Sequence, residues 1–194
     1  MSDNCAPKIT ADMIYDCADK SKKGLDGGKA VIINWDDIDK AGSTESGATI
    51  SDLVLASGTS GFAAEWFKDL ASVNSAFAPS TEDVDGFLHN FLTRIANSSA
   101  ANAERARELS QGRFVIVVET RYKGALSAEA FKVLGWESGL KLSEMVYSTL
   151  ENSGAIPYTA ATEEGDTEQY PYNVFLETDY ATSKATFDSL FATV

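Results

Sequence analysis

Residues 113–122 read Arg-Phe-Val-Ile-Val-Val-Glu-Thr-Arg-Tyr and follow Gly112 directly. Five successive apolar residues, mostly β-branched, favour the extended chain, because two heavy atoms on Cβ restrict χ1 and crowd a helix. A strand whose side chains are apolar on both sides must be covered on both faces. This run therefore demands a sheet with a layer above it and a layer below it. The chain has 194 residues, enough for one domain with a substantial core. No apolar run approaches the roughly 20 residues that cross a bilayer as a helix.

Other segments fall around that strand. Residues 30–35, Ala-Val-Ile-Ile-Asn-Trp, follow a Gly-Gly turn and read as a strand. Residues 48–56, 61–70, 131–134, 155–160 and 172–178 read the same way, and 140–147 leaves strand and helix open. Pro157 lacks an N–H and so places 155–160 at a sheet edge. Val84, Phe87, Leu88, Phe91, Leu92 and Ile95 recur at helical spacing after Thr81-Glu82-Asp83, a helix-start signal. A helix is therefore expected over about 80–110, continuous or broken near Asn97-Ser98-Ser99, and stopping at Gly112. Asp179 or Thr182-Ser183 caps a final helix carrying Phe187, Leu190 and Phe191. Residues 1–29 are polar and read as an extended arm, and 30–194 as the folded domain. Met13 and Tyr15 are the arm's candidate pairing residues. The class is α+β, mainly β.

Charge and cysteines narrow the function. With 16 Lys+Arg against 29 Asp+Glu, the net charge is −13, which disfavours wrapping nucleic acid or docking on an anionic membrane. Cys5 and Cys17 lack the C-x-x-C spacing of a redox or zinc motif, and the start of the chain lacks a basic-then-apolar leader, so no disulfide framework is expected.

Tests for chemistry fail one by one. Gly27-Gly28-Lys29 would need Gly at position 23 and Ser or Thr at position 30 to be a phosphate loop; those are Lys23 and Ala30. Asp37-x-Asp39 opens like a calcium loop, but Ala41 and Ala48 stand where ligands are required, leaving Asp36, Asp37 and Asp39 at most a weak surface cation. No Gly-x-Ser-x-Gly elbow exists, and the single histidine, His89, reads as a surface residue. Arg94, Arg105 and Arg107 read as helix ion pairs with Glu104 and Glu108. No catalytic, cofactor-binding or metal residues are expected. Trp35, Trp66 and Trp136 lie in or beside strands and are candidate subunit anchors, together with Met13, Tyr15 and Pro157.

Residues 131–140, Phe-Lys-Val-Leu-Gly-Trp-Glu-Ser-Gly-Leu, then Asn152-Ser153-Gly154-Ala155 and 170–185 (Tyr-Pro-Tyr-Asn-Val-Phe-Leu-Glu-Thr-Asp-Tyr-Ala-Thr-Ser-Lys-Ala) resemble virion tail proteins of tailed phages of Bacteroides-type gut bacteria, the crAss-like group among them. Cys17, Gly27-Gly28 and the run Ile32-Ile33-Asn34-Trp35-Asp36-Asp37-Ile38 extend the resemblance, which spans roughly two thirds of the chain. The resemblance implies a tail-tube-like β-sandwich or barrel with a flanking amphipathic helix and an extended N-terminal arm. It implies a structural, non-enzymatic virion protein, made in the host cytoplasm and placed in the phage tail. It would form homomeric rings, sixfold or twelvefold, of a tail tube or head–tail barrel. Its partners would be itself, the adjacent tail or portal-connector proteins, and DNA passing without specific contact. The inner tube of a contractile injection system has the same implied fold. A soluble α+β binding module with an exposed pocket is the alternative.

Overall fold

The structure is a computed structural model that describes residues 9–80 and 85–192. Among these residues, eleven strands and two α-helices form two sheets. The strands are β1 (Leu25–Asn34), β2 (Thr44–Ser46), β3 (Thr49–Asp52), β4 (Phe62–Glu65), β5 (Ser72–Ala78), β6 (Gly86–Ile95), β7 (Phe114–Thr120), β8 (Phe131–Leu134), β9 (Lys141–Met145), β10 (Ile156–Ala161) and β11 (Asn173–Phe175). The helices are α1 (Ala100–Gln111) and α2 (Tyr180–Asp188). The large sheet runs β2-β3-β11-β8-β7-β1-β4 and the small one β5-β6-β10-β9. The chain is thus mainly β.

β7 sits inside the large sheet, antiparallel to both β1 and β8, and is covered on both faces as its sequence demands. Alternate side chains enter two separate cores. Val31, Ile33, Val115 and Val117 face a layer made by Phe187 of α2, Phe191 just after it, and Leu53 and Leu55. Ala30, Ile32, Phe114, Ile116 and Val118 face the small sheet, meeting Phe91, Tyr158 and Ala160. The result is three layers: small sheet, large sheet, and a helix-and-loop cover. Asp179 caps α2, its Oδ1 accepting from the Thr182 N–H at 2.8 Å.

The apolar stripe expected to be helical is instead strand β6. Its period is two: His89, Phe91 and Thr93 are buried, while Leu92 between them is exposed. The helical spacing arose because apolar residues occupy both faces of this strand, one turned into the core and the other outward. Thr81, Glu82, Asp83 and Val84, the expected start signal, lie outside the described residues. The helix begins at Ala100, where the Ser99 hydroxyl accepts from the Asn102 N–H, and stops at Gly112 as expected. It carries the Arg105–Glu108 ion pair at 3.0 Å.

Further differences concern strands, and β2 is one of them, since Thr44–Ser46 lies outside every expected strand. β5, Ser-Val-Asn-Ser-Ala-Phe-Ala, was not expected; its small polar residues carry little strand signal, and pairing with β6 supplies what propensity does not. β10 lies inside the small sheet, so Pro157 is not on an edge strand. Its carbonyl accepts from the Val146 N–H beyond the end of β9, at 3.2 Å. A residue's N–H and C=O point to the same side of a strand, so the missing donor falls where the β9 pairing has ended and the β6 ladder is untouched. β1 begins at Leu25, five residues before the expected start, and contains the Gly-Gly turn as a bulge.

Candidate functional site: an assembly surface

Residues 9–24 contain no regular strand or helix. Met13 is 87% exposed and Tyr15 82%, with Ile9 and Ile14 equally bare. The Met13-Ile14-Tyr15 segment pairs with no strand among the described residues. From Asp19 onward the segment is tied to the body: the Tyr122 hydroxyl donates to Asp19 Oδ2 at 2.9 Å, and the Arg121 N–H donates to the Gly24 carbonyl at 3.1 Å. A segment with four exposed large apolar side chains leaves apolar area in water that association with another surface would remove.

The outer face of the small sheet offers a second such area. Leu92 stands opposite Thr159, and Arg94 opposite Pro157, so Leu92 and Pro157 lie on the face turned away from the core. Leu92 is 46% exposed and Pro157 half-buried. At the same sheet's edge, β5 carries exposed Phe77, whose ring meets Phe87 edge-on at 5.9 Å. β5, β9, β2 and β4 are edge strands, and among the described residues each has one row of backbone groups without a neighbouring strand.

The expected tryptophan anchors divide. Trp66 is half-buried beside the edge strand β4 and meets Phe91 edge-on at 6.4 Å. Trp35 is half-buried, packs against the α2-side core and lies under the Arg113 guanidinium, 4.8 Å from its ring centre. Trp136 is 3% exposed, a core residue that presents no surface to a neighbour. Cys17 is an exposed free thiol, and Cys5 lies outside the described residues.

Behind these surfaces lies polar chemistry that the sequence did not announce. His89, expected at the surface, is fully buried. Its Nδ1 accepts from the Gly135 N–H at 3.1 Å, which leaves the proton on Nε2 to be donated to the Tyr170 carbonyl at 2.9 Å. Burial pushes its pKa below the ordinary imidazole value. Glu168 is buried beside it in the fold. Its two oxygens accept from the Ser138 and Glu137 N–H groups at 2.8 and 2.9 Å, while its own backbone pairs with Phe87. Burial raises its pKa, and those amide bonds oppose the shift. Glu137 is raised by burial and then by the charge of Glu168. Lys40 is exposed as a residue, but its ammonium lies 3.0 Å from the Trp136 ring centre and donates to the Trp136 carbonyl; the Trp136 indole N–H donates to Glu45. Desolvation brings the Lys40 pKa down to about 8. These groups lock the turn after β8 between the sheets.

A second cluster surrounds Glu119, at the end of β7. Its Oε1 accepts from Lys123 Nζ at 2.5 Å and from the Tyr180 hydroxyl at 2.7 Å. A recess of about 410 Å³ opens beside it, between the Gly27-Gly28 bulge, Trp66 and α2. Nothing in the sequence marks Glu119 or Glu168 apart from other carboxylates, since only the tertiary neighbours bury them. Asp39 organises the loop after β1 by accepting from the Ala41 and Gly42 N–H groups, and Asn34 donates to Asp37. Among the described residues, no three His, Cys, Asp or Glu side chains converge on a metal position. Among the described residues, no helix is long and apolar enough to cross a membrane.

The chain matches no protein-family model, no curated protein and no solved structure.

Proposed function

We propose that this chain is a structural, non-enzymatic subunit of a phage virion, assembling into homomeric rings of a tail tube or head–tail barrel. The observation that carries this reading is the arm, with Met13, Ile14 and Tyr15 bare of any contact that would hide them within one copy. The outer face around Leu92 and Pro157 and the open edges of both sheets support it, since ring closure converts strand edges into interfaces. The net charge of −13 suits a conduit through which DNA slides without adhering.

The test is the mass of the purified protein by light scattering across a concentration series, with negative-stain electron microscopy of the same samples. Rings or tubes with a central hole are expected, and their symmetry follows from the images. A monomer at every concentration, together with absence of the protein from purified virions, overturns the reading.

A further inference from the structure

We propose that the recess between the Gly27-Gly28 bulge and α2 is a binding site for an organic cation, an alkyl guanidinium or primary ammonium group, held by Glu119 and Glu65 against Trp66. This goes beyond the assembly reading and does not depend on it.

The ladder between β1 and β7 pairs Leu25 with Thr120 and then Ala30 with Val118, so residues 26–29 all stand opposite Glu119 alone. So wide a bulge beside one side chain re-aims the local backbone. Gly27 and Gly28 have φ of +70° and +64°, and a Cβ on Gly27 would stand 3.5 Å from Glu119 Oε2. Glycine at position 27 therefore leaves open the space that a side chain there would fill beside that oxygen. Glu119 is 3% exposed, yet it lines the recess. Both its hydrogen bonds among the described residues go to Oε1; Oε2 receives none, and Lys184 Nζ stands 3.9 Å away.

The charges around the recess select the sign of the ligand. Lys29 and Lys184 are both engaged by Asp188, at 2.9 and 2.6 Å. The Glu65 side chain makes no hydrogen bond among the described residues. Glu119 is likewise engaged, by Lys123 at 2.5 Å and Lys184 at 3.9 Å, so of the charged groups lining the recess Glu65 alone has no ion pair among the described residues, and an anion would meet that unpaired carboxylate. A cation would find an open acceptor on Glu119, a second carboxylate on Glu65, and an aromatic wall in Trp66. The group could belong to a free amine or to an arginine or lysine of a second copy.

The test is calorimetric titration of the full-length protein with methylguanidinium chloride at fixed ionic strength, with sodium phosphate as the anion control. Saturable binding of methylguanidinium and none of phosphate is expected. Glu119→Gln should weaken it about tenfold or more, the scale of one hydrogen bond to a charged group. Gly27→Ala, which places a methyl before Oε2, should weaken it similarly, and Glu65→Gln, on the surface, less. If Glu119→Gln fails to fold by circular dichroism, the other two variants decide. Loss of oligomer mass on adding methylguanidinium assigns the cation to a second copy; unchanged mass assigns it to a free small molecule. Absence of saturable heat, binding of phosphate instead, or unchanged affinity in both Gly27→Ala and Glu65→Gln overturns the site.

Discussion

His89 joins the two sheets through one ring: it rises from β6 in the small sheet, accepts from Gly135 just after β8 in the large one, and donates to Tyr170. The bond from Gly135 requires the neutral imidazole, because a protonated Nδ1 would point a second donor at the Gly135 N–H, whereas the bond to Tyr170 is kept by either form of the ring. Burial lowers its pKa from the ordinary 6.5. In acid the unfolded chain therefore takes up a proton before the folded chain does. The stability this ring contributes is complete above about pH 6.5 and falls as pH drops through the window down to the folded value. Glu168 acts with the opposite sign: raised by burial from 4.5, it keeps its proton after the unfolded chain has lost it, so its contribution falls as pH rises through the window above 4.5. His89→Gln isolates the first effect. It should lower stability at neutral pH by about 1–3 kcal/mol. The stability difference between variant and wild type should also shrink between about pH 7 and pH 5.5, because only the wild type loses the ring's contribution there. Urea unfolding at both pH values measures this, and parallel curves for the two proteins would refute it. Lys40 gives a second readout at this scale. With its pKa brought down to about 8, it should acylate ahead of the other lysines when the protein is treated with a limiting amine-reactive ester near that pH. Peptide mass spectrometry locates the label, and preferential labelling elsewhere would contradict the desolvated position.

At the scale of elements, legibility tracked whether local sequence and tertiary burial agreed. β7 was readable because its own residues are β-branched and doubly buried. α2 was readable because Asp179 carries the cap and Phe187 the buried face, with Phe191 packing into the same core just beyond the helix. β6 was misread because its buried face holds His89 and Thr93 while its outer face holds Leu88 and Leu92, which inverts the usual rule of polar residues outside. The candidate site was legible only in part: the bareness of Met13 and Tyr15 follows from a polar arm, whereas the recess beside Glu119 depends on pairing between strands far apart in sequence. The apolar outer face of β6 makes a prediction of its own. Leu92→Glu should change the stability of the isolated subunit by less than about 1 kcal/mol, as surface substitutions do, yet weaken self-association. Were residue 92 a core position of a helix, as its spacing alone indicates, the same change would cost several kcal/mol. Chemical denaturation and light scattering on one preparation separate these outcomes; a severe loss of stability would reject the strand assignment, and unaltered association would remove this face from the interface.

The whole molecule is an acidic three-layer body with a segment that its own core does not use. Both cores are closed without residues 9–18, none of which contributes to either. The attachment of the segment begins at Asp19 and Gly24, so a cut before Asp19 leaves the contacts with Tyr122 and Arg121 in place. Burial of bare apolar side chains is a gain available only between copies, or against another protein, and ordering the segment costs conformational entropy that the contact must exceed. Deleting residues 1–18 should therefore shift the thermal midpoint of the body by no more than about 3 °C, since little of its packing is touched. The same deletion should raise the concentration needed for assembly about tenfold or more, because several large apolar side chains leave the interface together. Calorimetry on the subunit and light scattering across a dilution series measure the two effects independently. A truncated protein that assembles as readily as the full chain would remove the arm from the interface and leave the outer face of the small sheet and the open strand edges to carry it. A truncated protein that melts far earlier would show instead that residues 1–18 belong to the body's own fold.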